Sequence, residues 1–182
     1  MDPKKAATPR FTKILHPTDF SVSCERAFEY ALMLGELTGA EVHLLHVIRI
    51  PEEMQPSEAM LREAYAVAQR RLAAWGPAGA DVASREVRIG APAGEVIKVA
   101  RERKIDLVVI GTLGASGEVA TVGSVAEKVI QGLSIPVLAV KVPPPAKPAG
   151  KRCAMCGAAS TDTICDACKD RVRGEAVARK RR

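Results

Sequence analysis

The chain alternates between short apolar runs and longer stretches with helical spacing, and this alternation predicts most of its elements. Phe11 to His16 contain Ile14-Leu15, a short strand expected to end at Pro17-Thr18-Asp19-Phe20-Ser21. Ser21 or Ser23 is placed to cap a helix with Ala27, Tyr30, Ala31, Leu34 and Leu37 inward, and Thr38-Gly39 is expected to stop it. Glu41 to Ile48 read as a second strand. A helix from about Ser57 to Trp75 follows the loop from Pro51 to Pro56, with Leu61, Ala64, Tyr65, Ala68 and Leu72 inward. Arg85 to Ile89 alternate as a third strand closing at Gly90 to Gly94, and the next helix carries Val96, Ile97, Val99 and Ala100 to about Lys104. Residues 106–110 (Asp-Leu-Val-Val-Ile) are a run too short for a helix and rich in β-branched residues, as a buried parallel strand would be. A helix beginning at Ser124 should turn Val125, Val129, Ile130 and Leu133 to one side, and Pro136 to Val142 make the last strand.

Strictly alternating strands and helices imply a parallel sheet. The expected fold class is therefore α/β: an open five-stranded parallel sheet with helices on both faces. Aromatic residues are only 3% of the 182, so Val, Ile, Leu and Ala must fill the core. The pattern divides the chain into a polar N-terminus (1–10), a globular domain (11–142), a Pro-rich linker (143–150) and a C-terminal segment (151–182). Charge follows the same division. Residues 1–140 hold 16 Lys/Arg and 17 Asp/Glu, whereas residues 141–182 hold 11 and 4, so the tail carries the whole basic excess. No apolar run reaches the ~20 residues of a membrane span, and no hydrophobic stretch follows Lys4-Lys5 as in a signal peptide. A cytoplasmic location is expected.

Two groups of residues carry candidate chemistry. Gly111, Gly114 and Gly117 follow the fourth strand, and Gly123-Ser124-Val125 open the next helix. Glycines between a strand end and a helix start bare the backbone amides, and the helix adds its positive dipole end, which suits a phosphate. Tight turns alone would use the same glycines. The second group is Cys153-x-x-Cys156 and Cys165-x-x-Cys168, two pairs eight residues apart. Four thiolates at this spacing complete a tetrahedral Zn²⁺ site without an open position, with iron as the competing metal. A segment of about 30 residues buries too little core to fold alone, so a metal would supply most of its folding free energy. Its basic flank suits a protein or nucleic-acid partner, or serves only for solubility. Any nucleic-acid contact there would be phosphate-based and salt-sensitive, for want of aromatic residues. His16 and His46, read at strand ends, and His43, read within a strand, form neither a triad nor a metal motif. They are expected to be hydrogen-bonded core or rim residues, and no catalytic base is evident.

Five motifs in order resemble the universal stress protein family over roughly residues 10–142. They are Lys13 to Ser21, a first strand with its acidic turn; Leu44 to Val47, the second strand; Gly90 and Pro92 before the third helix; Gly111-x-x-Gly114 with Gly123-Ser124-Val125, the nucleotide loop; and Pro136 to Val140, the last strand. The resemblance implies a five-stranded α/β fold, usually dimeric, with the last strand (Val137 to Val142) pairing across the dimer. Some members of the family bind ATP and others do not. In those that do, Pro17 and Asp19 would lie near the base and sugar, and the Val47 backbone would meet adenine. The amides of Gly111, Gly114, Gly123 and Val125, with the Ser124 hydroxyl, would hold sugar and phosphates. Asp19 and Ser124 have alternative roles as turn and cap residues, and Val47 as ordinary core.

The loop departs from the ATP-binding pattern. Eight residues rather than nine separate Gly114 from Gly123, none of them is Lys or Arg, and Glu118 is among them. Counter-charge would have to come from backbone dipoles or Mg²⁺. Two functions therefore follow. One is a stress-response regulator that binds ATP, with slow hydrolysis at most, joined to a zinc module for partner contact. The other is a dimeric scaffold of the same family that has lost the nucleotide and acts through the module and basic tail.

Overall fold

A computed structural model describes residues 11–51, 53–112, 122–141, 151–153, 155, 158–160 and 164–171. Five strands form one sheet: β1 (Lys13–Thr18), β2 (Glu41–Ile48), β3 (Ser84–Ile89), β4 (Leu107–Gly111) and β5 (Val137–Val140). Their spatial order is β3-β2-β1-β4-β5, and every pairing is parallel. The connections are α1 (Val22–Thr38), α2 (Glu58–Ala73), α3 (Pro92–Glu102) and α4 (Ser124–Gly132). This is the architecture the alternation implies.

Strand parity sorts the core into two layers, since successive side chains point to opposite faces. Ile14, Val42, Leu44, Leu107 and Val109 pack with Ala27, Phe28 and Ala31 of α1 and Ala64, Ala68 and Leu72 of α2. Leu15, Leu45, Val108 and Ile110 pack with Val96, Val99 and Ala100 of α3 and Ala126 and Val129 of α4. Helices thus cover both faces.

Local signals fix the element ends. The Ser21 hydroxyl accepts the Cys24 amide at the start of α1, and Gly39 ends that helix at φ 72°. Ser57 caps α2 in the same way. Several sequence expectations need correction. β1 runs through Pro17 to Thr18 instead of ending before Pro17, so His16 lies inside the strand. On α1 the buried stripe is Cys24, Ala27, Phe28, Ala31 and Gly35, while Tyr30 and Leu37 (74% exposed) face outward. Ala27, Ala31 and Gly35 on that stripe let the helix lie close to the sheet, and Phe28 is the one large side chain it buries. Ile130 on α4 is likewise exposed, while Val129 faces inward as expected and Ala126 joins it.

Beyond β5, two short strands, β6 (Lys151–Arg152) and β7 (Ala159–Ser160), pair antiparallel, and residues 166–171 are helical. The N-terminal ten residues, the loop 113–121, residues 142–150 and the tail 172–182 lie outside the described residues.

Candidate functional site

Connections from β1 run toward β2 and β3 on one side, and β4 and β5 lie on the other. The crevice between the carboxyl ends of β1 and β4 is therefore the topological switch point, where open α/β sheets bind ligands. The chain itself opens this crevice. β1 and β4 pair only at Ile14↔Leu107 and Leu15↔Val108. In that register the next donor to the Val109 carbonyl would be the amide of Pro17, which has none. The carbonyl takes a hydrogen bond from His16 Nδ1 instead, at 2.8 Å. His16 is fully buried and its ring stacks on Phe28. Burial lowers its pKa to about 4, so the imidazole is neutral, which outweighs the raising effect of the Val109 bond.

The β1–α1 turn is braced by its own side chains. Thr18 Oγ1 accepts the Phe20 amide at 3.0 Å, and Asp19 Oδ1 accepts the Ser21 amide at 3.0 Å. The Cys24 thiol also donates to Asp19 Oδ1, at 3.2 Å. Burial, with Asp19's charge beside it, pushes that thiol's pKa up, so Cys24 stays protonated. Asp19 is therefore a turn residue whatever else it does, and only partly buried.

Phe20, at the centre of this turn, holds φ 62°, a conformation that side-chain-bearing residues rarely adopt. Its ring lies 4.3 Å from that of His46 and 5.2 Å from that of Trp75, with the Arg71 guanidinium 4.1 Å from its centroid. His46 Nδ1 in turn donates to the Thr18 carbonyl at 2.8 Å, and burial lowers its pKa. His43 bonds Ser84 Oγ at 2.8 Å, and its pKa is also lowered, first by burial and then by Arg103. All three histidines are thus hydrogen-bonded core or rim residues, as expected. The Phe20 cluster was missed in the sequence because its members come from three separate segments.

On the other side of the crevice stand Gly111, Thr112 and the start of α4. A Cβ at Gly111 would lie 3.1 Å from the Ser23 carbonyl oxygen, so this glycine lets the first turn of α1 close on β4. The Gly123 amide donates to the Thr112 carbonyl at 2.7 Å, closing the loop and bringing the two predicted ends together. Gly123 is the N-cap of α4, and among the described residues no side chain caps that helix. Ser124 is its first residue and exposed, so the structure does not use it as the cap. The leading amides of α4, those of Ser124, Val125 and Ala126, have no intrahelical acceptor by helix geometry. Pro17, Asp19, Gly111, Gly123, Ser124 and Val125 stand at this edge of the sheet. Val47 sits near the carboxyl end of β2, half-buried against the α3–α4 layer. Gly114 and Glu118 lie outside the described residues.

The cysteines form a second site. The sulfurs of Cys153, Cys165 and Cys168 all lie within 4.8 Å of one another, and Cys153 and Cys168 are buried. Thiolates around a tetrahedral Zn²⁺ at about 2.3 Å would stand about 3.8 Å apart, so a modest contraction suits this cluster to the ion. The Cys153 amide donates to the Ala158 carbonyl at 2.8 Å. Cys165 stands one residue before the helical segment, and the Cys168 amide donates to its carbonyl at 3.0 Å, so the second pair shares one turn. Cys156 lies outside the described residues.

Comparison with known proteins fits the sheet. Residues 10–141 match the model of the universal stress protein family, and the chain belongs to that family. It is 32% identical to Universal stress protein MJ0531 of Methanocaldococcus jannaschii, over 73% of this chain and 84% of that protein. A universal stress protein of Methanothermobacter thermautotrophicus is also 32% identical, over 66% of this chain and 88% of that protein. Among solved structures, that of M. jannaschii MJ0577 superposes with a TM-score of 0.59 at 29% identity, covering 74% of this chain and 99% of that one. A universal stress protein solved in complex with cAMP shares the fold at TM-score 0.52 and 23% identity, covering 72% of this chain and 98% of that one. Among the described residues, no helix is long and apolar enough to cross a membrane.

Proposed function

We propose that this universal stress protein binds an adenine nucleotide, ATP with or without Mg²⁺, in the crevice between β1 and β4. Pro17, Asp19 and the Val47 backbone would take the base and sugar, and the glycine loop (Gly111, Gly114, Gly123) with Ser124 and Val125 would take the sugar and phosphates. The observation that carries this reading is the start of α4, which no described side chain caps and where Ser124 is exposed, at the switch point of a parallel sheet. No residue is assigned a catalytic role, and hydrolysis is at most slow. Four cysteines, Cys153, Cys156, Cys165 and Cys168, would hold a structural Zn²⁺ in a C-terminal module of residues 151–182, joined to the domain 11–142 by the Pro-rich linker. A homodimer through β5 is part of the same reading: β5 is an edge strand and its Leu138 is 38% exposed.

Isothermal titration of the full chain with ATP and Mg²⁺ tests the nucleotide. Saturable heat, or nucleotide released from the purified protein, supports it; neither heat nor retained nucleotide refutes it. Specific observations favour the scaffold reading as an alternative. The Gly123 amide is already engaged by Thr112, Asp19 Oδ1 already accepts two donors, and the loop is one residue short. Under that reading, lengthening the loop and replacing Glu118 creates an affinity that the natural sequence lacks.

A further inference from the structure

The cysteine cluster does not stand apart from the α/β domain. Its buried centre, Cys153, Ile164 and Cys168, packs against Met155 and against Met54 of the loop between β2 and α2. Met155 in turn packs against the core layer that contains Ile48, Ala64 and Ala68. Two clefts meet at this methionine. One lies along α2 and is lined by Met60, Glu63, Ala64 and Val67 together with Cys168 and Arg171. The other lies under the β2–α2 loop and is lined by Ile48, Pro51, Met54, Pro56 and Leu61. At the rim, Arg171 donates to Glu63 at 2.7 Å.

Two facts make this arrangement more than a resting place. First, Met60, Ala64 and Ile48 are buried, and Met155 is half-buried where both clefts meet, so the C-terminal segment helps to cover an apolar face of the domain. Second, the covering residues are adjacent to, or are themselves, the thiols that would bind the metal. Met155 lies between Cys153 and Cys156, and Cys168 lines the α2 cleft directly. With hardly any core of its own, the segment would depend on a bound metal to keep Met155 and Ile164 in place. Loss of the metal would release the cover, expose the α2 face and free the loop at Met54. That loop leaves β2 one strand residue after Val47.

We propose that the C-terminal cysteine segment is a metal-fastened cover. A thiophilic divalent ion, of which Zn²⁺ is the natural case, holds Met155, Ile164, Cys168 and Arg171 on the groove formed by α2 and the loop that carries Met54, and the metal thereby controls access to that groove. This rests on the reading of the four cysteines as a metal site, and it adds an occupant and a switchable surface to that reading.

The test uses the full chain. Metal content is measured after purification with Zn²⁺ and after stripping with a chelator under reducing conditions. Hydrogen–deuterium exchange is then followed in residues 49–68 in both states. The expected result is one Zn²⁺ per chain, with exchange in 49–68 accelerating about tenfold or more on stripping and recovering when Zn²⁺ is restored. A Met155→Asp variant separates folding of the cysteine segment from its docking. It should keep one Zn²⁺ yet show the fast exchange of the stripped protein. One Zn²⁺ bound with unchanged exchange on stripping overturns the cover while leaving the metal site intact. No Zn²⁺ bound overturns the metal reading and the cover with it.

Discussion

His16 and Pro17 act as a pair. Pro17 interrupts the β1–β4 ladder at the site crevice, and the imidazole of His16 supplies the hydrogen bond that the proline cannot. A buried acceptor left without a donor costs about 1–3 kcal/mol, so His16→Leu should destabilise the protein by about that much at pH 7.5, read as a lower urea midpoint. The wild-type protein should also be acid-sensitive in a defined window. The folded pKa of about 4 lies below the unfolded value of 6.5, so the unfolded chain takes up the proton first. The contribution of His16 is therefore complete above pH 6.5 and is lost as pH falls toward 4, by about 3 kcal/mol in all. His43 and His46 are shifted in the same direction and add to the slope. In His16→Leu the slope between pH 6.5 and 4 should shrink, and the deficit relative to wild type should narrow or reverse by pH 4.5. An unchanged slope would contradict the neutral buried imidazole. The sequence placed all three histidines as hydrogen-bonded residues, yet concealed what His16 does, because its partner is a carbonyl 93 positions away.

At the scale of elements, the sheet was legible because each strand is a short apolar run between turn residues, and helix ends carry explicit signals such as Ser21, Gly39 and Ser57. Which side of a helix faces the core was less so. On α1 the sequence turns Ala27 and Ala31 inward as found, but apolarity alone adds Tyr30 and Leu37 where the buried stripe continues through Cys24, Phe28 and Gly35. Close approach is also the reason for Gly111, a residue the sequence offers only as part of a loop. A methyl group there would meet the Ser23 backbone at 3.1–3.2 Å, and backbone cannot rotate away as a side chain can. Gly111→Ala should therefore push the first turn of α1 off β4, costing about 1–3 kcal/mol, and it should weaken any ligand held between the Asp19 turn and α4. Urea denaturation and nucleotide titration of the same variant check both effects. Full stability with the methyl in place would mean that α1 has room to shift.

Across the whole molecule, the contact between the C-terminal segment and α2 had no signal in the sequence, because Met54, Glu63, Met155 and Arg171 share no periodicity and are brought together only by the chain's path. The segment's energetic weight on the domain can nevertheless be bounded. Full burial of a methionine side chain is worth about 1.5–3 kcal/mol, so the half-buried Met155 supplies about 1–1.5 kcal/mol. The Glu63–Arg171 pair is more than half exposed on both sides and adds well under 1 kcal/mol. About 2 kcal/mol in total corresponds to a Tm change of about 4–8 °C for a chain of this size. Stripping metal from the full chain should lower the main far-UV transition by that amount, and restoring Zn²⁺ should reverse it. Met155→Ala should reproduce more than half of the drop while Zn²⁺ remains bound, because the methionine and not the ion pair carries most of the contact. Glu63→Gln should shift the transition by little, and by less still in high salt, where an exposed pair is screened. A drop on stripping that Met155→Ala fails to reproduce would place the coupling elsewhere on the surface between the cysteine cluster and the Met54 loop.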